Sequence, residues 1–338
     1  MIEPANDASI DRAARRLLDG GLVALPTETV YGLGADASNR EAVQRIYATK
    51  GRPPGHPLIV HVPDVATGRR WGVFDERAER LAAAFWPGPL TLVLPRVAGA
   101  PAWACGGQPS VGLRCPSHPV AHALLARFVA LGGSGVAAPS ANRFGRVSPT
   151  RAAHVVDDLG ADAPMVLDGG AAEVGVESTI VDLTRARPVL LRPGRIGRDA
   201  LERVLGEQVA DRDADAPRVS GTLAAHYQPD TPVEVLPASG LSGRLAALGP
   251  ARVAVWSTGA PLPPPAHWEP ASPHPEAREA ALYDTLRRLD ALGLDAILVE
   301  APPADADWDA LRDRLGRAAH REPPPDAAGR GQAGRRDV

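Results

Sequence analysis

The stretch LPTETVYGLGADASNREAVQRIYATKGRPPGHPLIVH, Leu25–His61, reads as strand, loop, helix, loop and strand. Apolar residues at positions 42, 43, 46 and 47 recur with helical spacing, and Gly51 with the prolines after Arg52 ends that helix. Lys50, the only lysine in the 338 residues, closes the predicted helix, and we expect Lys50 and Arg52 to be displayed at its C-terminal end. Because a lone ammonium stands two positions before an arginine in a polar loop, we expect this stretch to handle phosphate.

Three local patterns predict how the chain turns in and beyond this stretch. Gly32-Leu33-Gly34 is expected to allow a tight or positive-φ backbone. Ser38-x-x-Glu41 has the spacing of a capping box, which predicts a helix start at Ser38. Ser148-Pro149 is typical of a cap followed by proline at the first helical position, so we expect a helix from there to about Leu159.

Working outward, alternating patterns divide the chain into two predicted domains. Short apolar strands alternate with amphipathic helices over residues 8–200, which predicts an α/β domain. Residues 201–232 are polar, rich in aspartate and predicted to be a linker. Residues 233–321 return to strand-helix alternation, which favours a smaller α/β domain with a mostly parallel sheet. Residues 322–338 lack apolar periodicity and are predicted to be a disordered tail.

Composition narrows the class of protein. The chain is 44% hydrophobic and 23% charged, and its formal net charge of −3 gives no overall attraction to nucleic acid or anionic membranes. Neither a signal-peptide pattern nor an apolar run long enough to cross a bilayer occurs in the sequence. Cys105 and Cys115 match neither a disulfide framework nor a zinc-site pattern, so two reduced thiols are expected. We therefore expect a cytoplasmic protein without membrane contact.

The chemistry-bearing residues stand at predicted strand ends. A Walker-type glycine loop is missing, and the three residues from Gly32 lack the third glycine of a dinucleotide fingerprint. In α/β sheets, ligands gather where strands end and loops converge. Arginine and lysine bind anions there, and hydroxyl or amide groups orient a small polar substrate. The set is Thr29, Lys50, Arg52, His61, Arg114, Ser140, Asn142, Ser148, Ser178 and Arg192.

Each of these features alone favours an ordinary structural explanation. An isolated Lys-x-Arg is usually a solvated loop, the turn Pro139–Asn142 needs no ligand, and single arginines often form structural ion pairs. The single lysine also fits a genome that favours arginine codons. The order and combination of the motifs therefore carry the functional hypothesis.

Taken together, the motifs closely resemble the YrdC-like family, from about Ala8 to Arg198. Later segments resemble its long form, which adds a C-terminal domain: His226-Tyr227-Gln228-Pro229, Leu282-Tyr283 through Leu289-Asp290, and Asp313–Ala319. The motifs of the first part are Pro26–Gly34, Lys50–Pro53, Pro57–Ile59, Trp86–Thr91, Val111–Arg114, Pro139–Asn142, Glu177–Asp182 and Leu191–Gly194.

The resemblance implies both a fold and a reaction. The fold is a YrdC-like twisted mixed sheet with helices, followed by a smaller Rossmann-like α/β C-terminal domain. The reaction is that of a nucleotidyltransferase, an L-threonylcarbamoyladenylate synthase that condenses L-threonine, bicarbonate and ATP to threonylcarbamoyl-AMP and pyrophosphate. Mg²⁺ is expected to arrive bound to ATP. Other proteins would then transfer the threonylcarbamoyl group to tRNA.

The resemblance also implies roles for individual residues. Lys50 and Arg52 would act in catalysis and bind ATP, and Arg114 would pair with the carboxylate of threonine. Position 56 is histidine where the family commonly has asparagine, and the linker reads Val219-Ser-Gly-Thr. His226 and Tyr227 would form a linker lid over the site. The remaining ATP residues would be His56, Ser110, Ser140, Asn142, Ser148 and Arg192; the remaining threonine residues would be Thr29, His61, Ala138 through its backbone, and Ser178.

Two rival functions are weighed against this hypothesis. The first is a double-stranded RNA-binding module of the same fold, although the charge of −3 and 4% aromatic content argue against RNA binding as the main role and favour at most a weak contact. The second is a carbamoyl-adenylate enzyme that uses carbamoyl phosphate. Its larger chains carry zinc fingers, which two cysteines cannot supply.

Overall fold

The computed structural model describes residues 1–260 and 267–320. The predicted tail, 322–338, lies outside the described residues, as does residue 321 at the end of the predicted C-terminal domain. Within the described part, no helix is long and apolar enough to cross a membrane.

Strands and short helices alternate through most of the described chain. The strands are β1 Ile2–Pro4, β2 Val23–Leu25, β3 Gly32–Asp36, β4 Ile59–His61, β5 Leu90–Pro95, β6 Ser110–Arg114, β7 Val136–Ala137, β8 Met165–Asp168, β9 Thr179–Asp182, β10 Val189–Arg192, β11 Ala210–Asp211, β12 Val233–Leu236, β13 Val253–Ser257, β14 His267–Pro270 and β15 Ala296–Glu300. The helices are α1 Asp7–Leu18, α2 Arg40–Lys50, α3 Val65–Gly68, α4 Glu76–Phe85, α5 Pro119–Ala130, α6 Ala152–Leu159, α7 Arg198–Leu205, α8 Ala238–Leu248, α9 Pro275–Asp290 and α10 Asp309–Ala319.

The first eleven strands form one sheet with the order β1-β8-β2-β3-β7-β4-β6-β5-β9-β10-β11. Parallel and antiparallel neighbours both occur: β4 pairs with β6 in parallel, and β7 pairs with β4 in antiparallel fashion. The predicted mixed sheet is therefore confirmed. The smaller sheet has the order β12-β15-β13-β14, and its three strand pairs are all parallel. A small, mostly parallel C-terminal sheet was also predicted, and it too is confirmed.

Apolar side chains cover both faces of the large sheet, because successive residues of a strand point to opposite faces. Val23 and Leu25 belong to a buried cluster with α1 and α5. Ala24, between them, belongs to a second cluster that includes residues of α2, α4 and α7. The small sheet packs with α9 and α10 in a further apolar cluster, which also includes Val30, Val147 and Val176 from the first part of the chain. The polar strand-end residues that form the site described below lie outside these apolar clusters.

Three local predictions are wrong, for physical reasons that the packing supplies. Gly32 and Gly34 lie within β3, and neither has a positive φ. A Cβ on Gly34 would come within 2.8 Å of Leu25, so that glycine permits close strand packing. Helix α2 is capped by Asn39, whose side chain accepts from two backbone amides, while Ser38 bonds to Asp36.

The predicted helix at Ser148 also begins elsewhere. Helix α6 starts at Ala152, with Arg151 in the cap position. The hydroxyl of Ser148 donates to Glu177 at 2.7 Å, and the carbonyl of Pro149 accepts from the amide of Tyr31. These long-range bonds hold the segment outside the helix.

The helices and strands indicate where the predicted domain limits should be adjusted. The division into domains itself stays a prediction. β1 precedes residue 8 and pairs with β8 in the large sheet. Helix α7 crosses residue 201, where the linker was predicted to begin, so the irregular stretch begins after Leu205. Within that stretch, β11 pairs with β10. Helix α8 and strand β14 were not predicted, because a helix with Gly and Ser inside it and a strand beside many prolines carry weak local patterns.

Candidate active site

A narrow cavity of about 50 Å³ lies where several strand ends of the large sheet meet the linker. β4 and β6 run in parallel, with His61 opposite Arg114, so their ends bring both side chains to one place. Arg192 arrives from the end of β10 and Ala138 follows β7. The cavity is lined by Val30, Arg52, Ile59, His61, Arg114, Ala138, Pro139, Ser140, Glu177, Ser178, Arg192, Ser220, Gly221, His226 and Tyr227.

Nine of the predicted site residues therefore lie around one cavity. They are Arg52, His61, Arg114, Ala138, Ser140, Ser178, Arg192, His226 and Tyr227. Their roles stay predictions, but their proximity means that one ligand or two adjacent ligands could contact them all.

Arg192 is a buried arginine held by the segment that precedes β9. Its Nε and Nη2 donate to the carbonyl oxygen of Ser178 at 3.1 and 2.9 Å, and Nη1 donates to the carbonyl oxygen of Ser220 at 3.0 Å. Burial lowers the pKa of Arg192, although nearby Tyr227 raises it. A guanidinium retained in this apolar setting favours an anion as ligand.

Arg52 faces the same part of the linker from the opposite side. Its Nη2 donates to the hydroxyl of Ser220 at 3.1 Å and to the carbonyl oxygen of Pro57 at 3.2 Å. Burial lowers the pKa of Arg52 to about 10. Ser220 thus lies between Arg52 and Arg192, in the middle of the most cationic part of the cavity.

Arg114 forms a buried ion pair with Glu28. Nη2 of Arg114 lies 2.8 Å from Oε1 of Glu28, and both side chains are almost fully buried. Burial would raise the pKa of Glu28, but the charge and hydrogen bonding of Arg114 outweigh it and the pKa is lowered. Among the described residues, Nε of Arg114 has no hydrogen-bond partner, so it remains available to a ligand.

Three of the other predicted threonine residues, His61, Ala138 and Ser178, line the same cavity as Arg114. His61 is buried, and its Nδ1 lies 3.2 Å from the carbonyl oxygen of Ile59. Burial, then the charge of Arg114, lowers the pKa of His61 to about 3, so the imidazole is neutral at physiological pH. The amide of Ala138 donates to Ile59, and the hydroxyl of Thr29 shares a 2.9 Å hydrogen bond with Thr27. Thr29 does not line the cavity itself.

Lys50 is buried rather than displayed at the end of its helix. Its Nζ donates to the carbonyl oxygens of Ser140 and Asn142 at 2.5 and 2.6 Å. The side-chain amide of Asn142 donates to the carbonyl oxygens of Arg143 and Arg146, both at 2.8 Å. In this conformation Lys50 therefore fixes the turn that follows β7, beside the cavity.

Ser148 reaches the cavity through Glu177. Its hydroxyl donates to Oε1 of Glu177, and Glu177 lines the cavity. The hydroxyl of the next residue, Ser178, lies 2.8 Å from that of Thr91 and accepts from Arg192 at 3.2 Å. Glu177 is thus a carboxylate beside several cations.

The linker covers the cavity with two aromatic side chains. The rings of His226 and Tyr227 lie 4.3 Å apart, and that of His226 lies 5.9 Å from Phe144. Tyr227 has a φ of 62°, a conformation that favours glycine, so tertiary contacts must hold it there. Within the described residues, neither Nδ1 of His226 nor the hydroxyl of Tyr227 has a hydrogen-bond partner.

Two predicted ATP residues lie away from this cavity. Ser110 lines a neighbouring small cavity under linker residues Arg218–Ser220. His56 packs edge-on against Phe144 at 5.7 Å, and burial lowers its pKa. The structure thus brings Ser110 to the linker and leaves His56 at the rim.

Sequence reasoning missed several residues that build the site. Ser220, Phe144, Tyr283 and Arg314 were given no role, and Glu177 was noted only as an acid. One signal was available for Arg314: it falls among buried Leu311, Leu315 and Ala318 on α10, where a charge requires a partner.

No cluster of three or more His, Cys, Asp or Glu side chains suited to a metal ion occurs in residues 1–260 and 267–320. Glu177, which lines the cavity, pairs with Arg314, and Glu28 pairs with the cavity residue Arg114. These residues do not fit a metal site built from protein carboxylates.

Two family models match the chain. A model of the Sua5/YciO/YrdC family, described as telomere recombination, matches residues 15–194. A second, described as threonylcarbamoyl-AMP synthase C-terminal domain, matches residues 196–320.

Individual relatives agree with these models. A threonylcarbamoyl-AMP synthase of Bacillus subtilis is 38% identical over 93% of this chain and 94% of its own length. One from Pyrococcus abyssi is 43% identical over 66% of each chain. The crystal structure of P. abyssi Sua5 complexed with L-threonine superposes with a TM-score of 0.85, at 35% identity, covering 94% of this chain and 97% of that chain.

Proposed function

The chain belongs to the threonylcarbamoyl-AMP synthase family, and on this premise we propose that its cavity condenses L-threonine, bicarbonate and ATP into threonylcarbamoyl-AMP and pyrophosphate. The observation that carries the proposal is a buried cavity lined by Arg52, Arg114 and Arg192. Within the described residues, Arg52 and Arg114 each have an Nε without a hydrogen-bond partner. Buried donors of this kind require an acceptor, and all three substrates bring anionic groups.

The ATP phosphates belong at Arg52 and Arg192. In the described conformation, Ser220 of the linker receives one hydrogen bond from each of these arginines. The cavity of about 50 Å³ is far smaller than the 300–1,000 Å³ of typical ligand pockets. We therefore propose that the linker moves outward with His226 and Tyr227, and that phosphate oxygens then replace Ser220. Lys50, Ser140, Asn142 and Ser148 would set the adjacent wall, with Ser110 and His56 further out.

Threonine belongs at Arg114. Its carboxylate would pair with the free N–H of that guanidinium, and Glu28 on the other side would hold the guanidinium in place. Neutral His61, the hydroxyls of Thr29 and Ser178 and the backbone of Ala138 would orient the rest of the molecule.

The proposed chemistry needs positioning and charge neutralisation. The threonine amine first takes up bicarbonate with loss of water, which gives a carbamate. A carbamate oxygen then attacks the α-phosphorus of ATP in line, the bond to the β-phosphate oxygen breaks, and pyrophosphate leaves. Arg52 and Arg192 would neutralise the charge that develops on the phosphates. The thiols of Cys105 and Cys115 are unsuited to covalent catalysis, because burial raises their pKa values to about 11 and 12.

Mg²⁺ is proposed to enter as part of the ATP substrate, because Glu177 at the cavity and Glu28 beside Arg114 are already paired with arginines. It would screen the β- and γ-phosphates. Transfer of the product to tRNA would fall to other proteins, in the cytoplasm where ATP and tRNA occur. Weak RNA contact stays a prediction, and RNA binding as the main role is not favoured, since the relatives that match nearly the whole chain are synthases.

Pyrophosphate release from purified protein tests the proposal. We expect release from Mg-ATP only when L-threonine and bicarbonate are both present, because the nucleophile is their adduct. Omission of each substrate in turn and replacement of L-threonine by D-threonine are the controls. Equal release without threonine would contradict the proposed function.

A further inference from the structure

Two side chains of the C-terminal α/β unit end at the wall of the catalytic cavity. Arg314, on α10, is fully buried; its Nε donates to Oε2 of Glu177 at 2.8 Å, and its Nη2 donates to the backbone carbonyl oxygen of Glu177 at 3.3 Å. Tyr283, on α9, is also fully buried, and its hydroxyl donates to the same carboxylate oxygen at 2.9 Å. Both contacts connect residues more than 100 positions apart in the chain.

Glu177 connects these two side chains to Ser148 and Ser178 at the site. Its other oxygen, Oε1, accepts from the hydroxyl of Ser148 at 2.7 Å. The next residue, Ser178, lines the cavity and is held by Arg192 through its carbonyl oxygen. One carboxylate therefore connects two helices of the C-terminal unit with two serines that are predicted to bind substrate.

The charges around Glu177 explain why it stays ionised. Burial would raise its pKa, but Arg314 and Arg192, with the hydroxyl of Ser148, lower it to about 2. Tyr227 and His226 of the linker and Tyr283 of α9 are the other titratable groups that interact with it. A buried carboxylate that loses its main cation is unpaired and takes up a proton at a higher pH.

We propose that Arg314 and Tyr283 are positioning residues of the synthase reaction, which place the Ser148 hydroxyl and the Ser178 segment by holding Glu177. The inference rests on the proposed function. It makes the C-terminal α/β unit a part of the active site, in contrast to a unit that only adheres to the catalytic one.

Turnover of Tyr283→Phe is the least disruptive test of this positioning role, because the substitution removes one hydroxyl and keeps the ring. We expect kcat/KM for ATP to fall about tenfold. Asp284→Asn is the matched control. It is the neighbouring residue of the same helix and removes an ion pair with Arg151 across the same boundary, without touching Glu177. We expect its turnover to stay within about twofold of wild type.

The pH profile separates positioning from simple adhesion. In the wild type, Glu177 is ionised at every pH of the assay, from about 6 to about 9. In Arg314→Met its pKa rises, so turnover should be lost progressively as the pH is lowered through this range. Arg314→Lys restores a cation and should remove that acid-side loss. Glu177→Gln added to Arg314→Met should also remove it, because no titrating carboxylate is left.

Each outcome decides the question. Normal kcat and KM in Tyr283→Phe, or an activity loss in Arg314→Met that is the same at all pH values, would overturn the inference. If Arg314→Met does not fold, Tyr283→Phe against Asp284→Asn still decides it. Wild-type protein without threonine-dependent pyrophosphate release overturns the proposed function, and the inference with it; wild-type release with unaffected variants overturns the inference alone.

Discussion

At the scale of single residues, the site keeps its histidines uncharged. His61 and His226 are both buried among arginines, and burial lowers the pKa of each to about 3. Extra positive charge there would repel the guanidinium groups that are proposed to bind phosphate and carboxylate. Neutral imidazoles instead supply polar contacts without altering the charge balance.

This neutrality predicts a pH dependence of stability. Because the folded pKa lies below the unfolded value of 6.5, stability is fully present above that value and is lost as the pH falls below it. At about pH 5.5 each buried histidine should cost about 1.4 kcal/mol of unfolding free energy relative to neutral pH. Denaturant unfolding at about pH 7.5 and about pH 5.5 measures the loss.

His226→Gln should reduce that loss by about the contribution of one histidine. His267→Gln, which removes an exposed imidazole, is the control and should leave the pH difference unchanged. An identical pH difference in wild type and His226→Gln would show that His226 is not neutral in the fold.

The residue types at the site could be predicted from sequence, whereas several of their contacts could not. Arg114 and Arg192 are the last residues of β6 and β10, and strand ends converge, so local patterns suffice to group them, whereas Arg52 lies in the loop after α2. The contact of Lys50 with the carbonyls of Ser140 and Asn142 spans 90 and 92 positions. A local sequence pattern carries no information about contacts between residues so far apart in the chain. It therefore predicts a displayed Lys50.

At the scale of elements, the loop between β8 and β9 joins the two units. Its amide at Val174 donates to the carbonyl oxygen of Glu28, and its Gly175 packs against α9. Glu177 and Ser178 close the loop before β9. The helix predicted to start at Ser148-Pro149 does not start there for the same reason. Ser148 has a sequence typical of a helix start, but its hydroxyl bonds to Glu177 in this loop. Turn chemistry is local, but the choice between two competing partners is settled by the tertiary structure.

Gly175→Ala should loosen this junction. Gly175 has a φ of 77°, and a Cβ there would lie 2.5 Å from the backbone of Glu279 and Ala280. Backbone strain and overpacking against α9 should both destabilise the variant. Gly170→Ala, in the same loop, is a matched control, because its φ is 85° but no atom lies within 4 Å of the added Cβ.

The difference between the two variants isolates the contact with α9. We expect Gly175→Ala to be about 1–3 kcal/mol less stable than Gly170→Ala in denaturant unfolding, and less active. Equal stabilities would mean that the loop can move away from α9 without cost.

At the scale of the whole molecule, loops of the first part of the chain contribute to the apolar core of the small sheet. Val30, Val147 and Val176, from the first part of the chain, belong to one buried cluster with Leu282 and Leu286 of α9. Ion pairs join the same surfaces: Arg314 with Glu177 is buried, and Arg287 with Asp158 is partly exposed. Separation of the units would expose this cluster and leave buried charges without partners.

We therefore expect the two sheets to unfold together. Hydrogen exchange of the amides in β5 and β13, measured in increasing denaturant, should converge on one free energy of opening, because unfolding either sheet alone would expose the cluster and the charges between the two units. Helix α8, whose buried residues Leu241 and Leu245 pack in a separate small cluster, is the reference for local opening. Earlier exchange of β13 with β5 still protected would contradict the shared core.

The single lysine gives the protein an unusual property as a reagent target. Apart from the amino terminus, Lys50 is the one primary amine in the chain, and it is buried with its ammonium bound to two carbonyls. Amine-directed acylation of the folded protein is therefore confined to the terminus. An acyl label on Lys50 therefore identifies those molecules in which the turn after β7 has opened. Because the chain has a single lysine, this label reports on one place, the edge of the cavity.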